Sequence, residues 1–255
     1  KKNNSMSYAL PYVEMLADKT KDEDVINDIV EYYSNYYAYC KDKQKVKDTL
    51  MKYSKNPKAA FKLGQLYFYG IDCDQDYKEA YKYFSYSHKK GNSNATPYIG
   101  YFRYNGIEEK QNINSALLLL RNSSMPLSRF YVFKHRVETN ENLTYSDYST
   151  FEKTATECGE AAAYLVKLLR EKRYKGSVYH SPDRYINIAV NQNIPEGFLE
   201  RGIVHFEKKE YTEAYNDLSY AYERNQKERN PNQAFPMGRL RCGVQRQKKR
   251  IARRV

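Results

Sequence analysis

The sequence predicts an all-α fold, a right-handed α-solenoid of about six to seven helix-turn-helix repeats with a basic C-terminal tail. Three observations carry this. Residues 59–92, AAFKLGQLYFYGIDCDQDYKEAYKYFSYSHKKGN, show an apolar helical pattern interrupted by Gly64, Gly70 and Gly91. Thirty-six residues separate Gly64 from Gly100 and Gly70 from Gly106, and the same shift carries Ala80 onto Ala116 and Ser87 onto Ser123. Further on, Gly202 lies three times thirty-four residues beyond Gly100, and Gly238 lies thirty-six beyond Gly202. A glycine inside a helix costs about 1 kcal/mol relative to alanine. Its return at a fixed period therefore needs a cause, and close approach of stacked helix pairs supplies one.

Taken in chain order, residues 1–58 predict an atypical amino-terminal helical cap. They hold two helical stretches, DVINDIVEYYSNYYAYC and KQKVKDTLMKYS, without the glycine pattern. Asp22, Glu23 and Asp24 read as the acidic, capping first turn of the first of these. Residues 59–228 predict the repeats. Their packing positions are Gly64, Gly70, Ala80, Gly100, Gly106, Ala116, Gly202, Ala214 and Ala221, joined beyond them by Gly238. The pattern fades between residues 125 and 194, where Lys134 and Leu168 stand at the expected glycine positions, while Ala155 and Gly159 match Ser87 and Gly91 at a shift of sixty-eight. Residues 229–255 predict a degenerate last repeat helix and a basic, Arg-rich tail, with Ala234 to Leu240 echoing Ala60 to Leu66.

The succession Leu63-Gly64, Tyr67, Gly70, Ala80 and Ser87 resembles the Sel-one-like repeat, a relative of the tetratricopeptide repeat. Gly202, Ala214 and Ala221 resemble the tetratricopeptide form, with a glycine-to-alanine distance four residues shorter. The resemblance implies a non-enzymatic protein that holds partners on a concave surface.

No apolar run approaches the roughly 20 residues of a membrane span, the longest being residues 117–120. Cys40, Cys73, Cys158 and Cys242 stand apart with no C-x-x-C pair, which speaks against a zinc site and for free thiols in a reducing, cytoplasmic setting. Sequons at Asn3, Asn94, Asn122 and Asn142 exceed chance only slightly. His88, His135, His180 and His205 lie in unrelated contexts without metal-ligand spacing. Gly197 to Gly202 has a phosphate-loop outline, but Ile203 follows where lysine is required. Ser177 and His180 lack the strand-to-helix elbow of a serine nucleophile. These readings predict neither an enzyme nor a cofactor.

The formal net charge of +12 is uneven. The segment 229–255 holds nine Lys or Arg and no Asp or Glu, leaving about +3 for the rest. Arginine grips phosphate bidentately and stacks on bases, so Arg239, Arg241, Arg246, Lys248, Lys249, Arg250, Arg253 and Arg254 are predicted to contact RNA; an acidic protein surface, anionic lipid, a nuclear-localisation signal and a solvated extension are the alternatives for the same run. Two readings follow. One is a ribosome- or ribonucleoprotein-associated factor, stabilising or silencing, with protein partners on the solenoid and RNA on the tail. The other is an adaptor in a membrane-associated complex, as the resemblance implies; it leaves the tail unexplained.

Overall fold

The computed structural model describes residues 2–37, 40 and 42–227, and these form thirteen α-helices and no strand. In order they are α1 (Lys2–Thr20), α2 (Glu23–Tyr36), α3 (Lys43–Lys52), α4 (Pro57–Tyr69), α5 (Tyr77–Lys89), α6 (Thr96–Asn105), α7 (Ile113–Arg121), α8 (Pro126–Glu138), α9 (Tyr145–Ala155), α10 (Gly159–Arg170), α11 (Pro182–Asn191), α12 (Pro195–Glu207) and α13 (Tyr211–Lys227). Gly238 and all eight predicted RNA contacts lie outside the described residues.

Two local rules start most of these helices. Asp or Asn caps α2, α3, α4, α5 and α7, its carboxylate or amide oxygen accepting from the first-turn backbone; Asp76 on Glu79 N at 3.0 Å and Asn112 on Ser115 N at 2.9 Å are one repeat apart. Proline opens α4, α8, α11 and α12, where its missing N–H costs nothing. The acidic run 22–24 does cap: Asp22 accepts from Asp24 N at 2.9 Å.

The chain divides between Ile99 and Gly100 into two compact units. In the first, α2, α3 and α5 all pack on α4, burying Ile29, Val30, Val46, Leu50, Leu63 and Leu66. The amino-terminal cap contains a helix that the sequence reading did not include. That helix, α1, joins the group through Ala17 and through Glu14 and Asp18, which pair with Lys45 and Lys52 of α3. Pro11 within it interrupts the pattern by which a helix is recognised.

In the second unit, α8, α10 and α12 pack side by side, and α9, α11 and α13 pair with them. Burial of Leu199, Phe206, Ala214, Leu218 and Ala221 closes the α12 and α13 pair.

The repeat is visible in the turns. Gly70 caps α4 in the left-handed region (φ 61°), and Gly106 takes φ 65° after α6. This conformation lets the next N–H reach back five residues, Ile71 to Leu66 O at 2.9 Å and Ile107 to Phe102 O at 3.0 Å. Asp76 N then donates to Tyr67 O at 2.9 Å, and Asn112 N to Arg103 O at 3.0 Å. A glutamine finishes each turn, Gln75 Nε2 on Phe68 O at 2.8 Å and Gln111 Nε2 on Tyr104 O at 3.0 Å.

Candidate interaction surface

Small residues decide how closely the helices of a pair approach. A Cβ added at Gly64 would stand 2.8 Å from Cδ1 of Phe84 on α5. At Gly100 it would meet Leu120 Cγ of α7 at 2.7 Å, and at Gly202 it would meet Leu218 Cγ of α13 at 2.9 Å. The partner is twenty residues on in the first two pairs and sixteen in the third, the same four-residue difference seen between the two repeat forms. Ala80, Ala116, Ala214 and Ala221 are wholly buried. Ser87 is too, donating to Pro57 O at 2.6 Å to tie α5 to the start of α4.

Elsewhere the correspondence changes. Gly159 begins α10, where a Cβ would lie 2.6 Å from Ile194 Cγ1, whereas Gly91 sits in an open turn at φ 87°. Between α8 and α9 the contact is two stacked rings, Phe133 on Phe151 at 3.8 Å. A glycine is not needed there, which frees position 134 for lysine. Gly197 packs where sequence reasoning saw only a failed phosphate loop: its Cβ would meet Ala189 Cβ of α11 at 2.5 Å.

Lys134 is the most unusual side chain this arrangement places. Its ammonium lies 5.9, 5.9 and 5.4 Å from the ring centroids of Tyr104, Phe130 and Tyr131. Among the described residues no carboxylate comes within ion-pair distance of it. Burial pushes its pKa below the usual lysine range, against the opposing pull of Glu138 and Glu196. Tyr104 donates to Glu138 Oε2 at 3.2 Å, and burial followed by Glu138 raises its phenol pKa. On α10 Tyr164, edge-on to Phe130, is pushed up to about 12 by burial and Glu138, and Lys167 stands 5.9 Å over its ring. The α6, α8 and α10 helices thus present two lysines among tyrosine rings, with Asn105 donating to Tyr131 Oη at 3.1 Å to fix the centre. Beyond them Arg170 of α10 grips the buried Glu200 of α12 at 2.8 and 2.9 Å.

The sequence-level candidates for chemistry are placed apart. His88 faces Thr96 at 3.1 Å, His135 is edge-on to Tyr104, His180 lies 3.4 Å from Arg184, and His205 lies 2.5 Å from Glu210. Ser177 lies between α10 and α11. Cys40, Cys73 and Cys158 form no disulfide among the described residues, and Cys242 lies outside them. Among the described residues no group of three or more His, Cys, Asp or Glu could hold a metal ion, and no helix is long and apolar enough to cross a membrane.

Residues 57–92, 98–125 and 212–235 match the Sel1 repeat, together about a third of the chain. Over these segments the chain is similar to Sel1 repeat proteins. No curated protein matches it. Among solved structures, a Sel1 repeat protein from Oxalobacter formigenes is 16% identical with a TM-score of 0.45, covering 100% of this chain and 99% of that one. A protective antigen of uropathogenic Escherichia coli strains, c5321, which displays an SLR fold, is 16% identical with a TM-score of 0.36; the match covers 72% of this chain and 42% of that one.

Proposed function

We propose that this chain, similar to Sel1 repeat proteins over three of its segments, is a non-enzymatic binding protein whose helical repeats hold a protein partner. The partner is held on the α6, α8 and α10 face around Lys134 and Lys167. One observation carries the reading: Lys134 keeps a desolvated ammonium against three rings with no carboxylate paired to it among the described residues. Burying a charge is costly unless it is paired. Part of that cost is offset by cation–π attraction, worth about 0.5–2 kcal/mol, and a bound partner bearing carboxylates supplies the rest. Tyrosine-rich surroundings suit such a role, because tyrosine offers large contact area at low entropy cost.

The test separates binding from folding. Lys134→Met preserves length and removes the charge, so the melting temperature is expected to hold or rise. Proteins cross-linked to the intact chain in its source cells are expected to be lost, while Lys89→Met, on the exposed end of α5, retains them. A Lys134→Met chain that melts lower and keeps the same cross-linked proteins makes the lysine structural and removes this face as the site.

A second partner rests on sequence alone. The concentration of nine Lys or Arg without an acid between 229 and 255 favours an RNA contact through that segment, in a ribonucleoprotein setting.

A further inference from the structure

We infer that a separate cleft between α7, α8 and α9 is an anchor pocket for a protein segment that inserts one bulky apolar side chain flanked by an acidic residue. The cleft has a volume of about 260 Å³. A cavity of about 150 Å³ accepts benzene, and sites for drug-sized ligands run from about 300 to 1,000 Å³. The space therefore suits one aromatic or branched side chain with room at its mouth for a carboxylate.

The floor is apolar, made by Leu120, Val132, Phe133 and Phe151. Its shape is set by packing already described: Leu120 is held by Gly100, and the two phenylalanine rings are stacked on each other. The walls carry three arginines, Arg121, Arg129 and Arg136, against one lining carboxylate, Asp147. Two of the arginines are fixed. Arg129 pairs with Glu157 at 2.7 Å, and Arg136 pairs with Asp147 at 2.6 Å and with Glu141 at 3.1 Å. Arg121, the last residue of α7, has no carboxylate within ion-pair distance among the described residues. The lining thus offers an apolar socket beside the Arg121 guanidinium, which, unlike Arg129 and Arg136, has no carboxylate already neutralising it among the described residues. An acidic residue adjacent to the inserted side chain complements it.

Three capped tripeptides probe the pocket: acetyl-Glu-Phe-Glu-amide, acetyl-Gln-Phe-Gln-amide and acetyl-Glu-Ala-Glu-amide. They are titrated into the full chain carrying methyl-labelled Leu and Val, with the Leu120 and Val132 signals as readout. The acidic phenylalanine peptide is expected to shift both signals with an affinity up to about fivefold above the glutamine control, and above the alanine control as well. Arg121→Gln is expected to bring it down to the glutamine peptide, since an exposed ion pair is worth up to about fivefold. Arg121 is exposed, so that variant keeps its fold, which an unchanged melting temperature verifies. Equal shifts from all three peptides, no shift at Leu120 and Val132 at millimolar peptide, or an affinity untouched by Arg121→Gln each overturn the assignment. None of these outcomes bears on the Lys134 face, which is read by its own substitution.

Discussion

A single missing methyl group sets the spacing of each glycine-bearing helix pair. Adding it at Gly64 places a carbon 2.8 Å from the fully buried Phe84 ring, whose freedom to turn aside is limited by Tyr98 stacked on it at 4.1 Å. At Gly197 the added carbon meets Ala189 Cβ at 2.5 Å and the Ala189 carbonyl carbon at 3.0 Å, so backbone must move. Gly64→Ala is therefore expected to destabilise by about 1–3 kcal/mol through overpacking, with Gly197→Ala the more damaging of the two. Urea midpoints of the two variants check the magnitude and the order. A neutral Gly197→Ala would show that α11 and α12 can separate freely.

At the scale of one element, α9 depends on a charge. Asp147 completes a capping box with Thr144 and pairs with Arg136 of α8, so one carboxylate starts α9 and ties it to α8. Arg136, with the Thr144 backbone next, lowers its pKa to about 2. Because the folded value lies below the unfolded one of about 3.9, the contribution is fully present above pH 4 and is lost as pH falls through about 2. Asp147→Asn is accordingly expected to lower the urea midpoint at pH 7, with the gap from the unsubstituted chain closing as pH approaches 2. A gap that stays constant across that range would assign the effect to the cap geometry alone. The same substitution removes the lining carboxylate of the α7, α8 and α9 cleft, so element stability and pocket charge share a residue.

Across the whole molecule, the excess of positive charge is concentrated in residues 229–255. The RNA reading predicts that deleting residues 244–255 weakens RNA association and flattens the dependence of log affinity on log salt by about 0.7–0.9 for each phosphate left unneutralised. Circular dichroism is expected to stay unchanged, since repeats depend mainly on their neighbours. RNA affinity equal to that of the intact chain at every salt concentration would leave the protein partner as the sole reading. How much of this was legible follows from the kind of interaction involved. Gly64, Gly100 and Gly202 could be read because each meets a partner at fixed sequence distance within its own pair. Gln75 and Gln111 carry the same thirty-six-residue signal and were open to the same reading. Lys134 could not be read as a site, since its setting is supplied by Tyr104 from another helix and by a ring stack that replaces the glycine contact. Arg121, Arg129 and Arg136 likewise become neighbours only when α7 and α8 are folded together. The α1 helix lacked the repeat stripe and contained Pro11.

Phe84 both touches Gly64 and stacks against Tyr98, whereas Leu120 and Leu218 fill the corresponding place beside Gly100 and Gly202. Positions 64 and 84 are consequently a lock whose two halves must change together. A relative with alanine at the first should carry a residue smaller than leucine at the second, so covariation at a separation of twenty, or of sixteen where the turn is short, would locate the repeat boundaries in sequences that have lost every glycine.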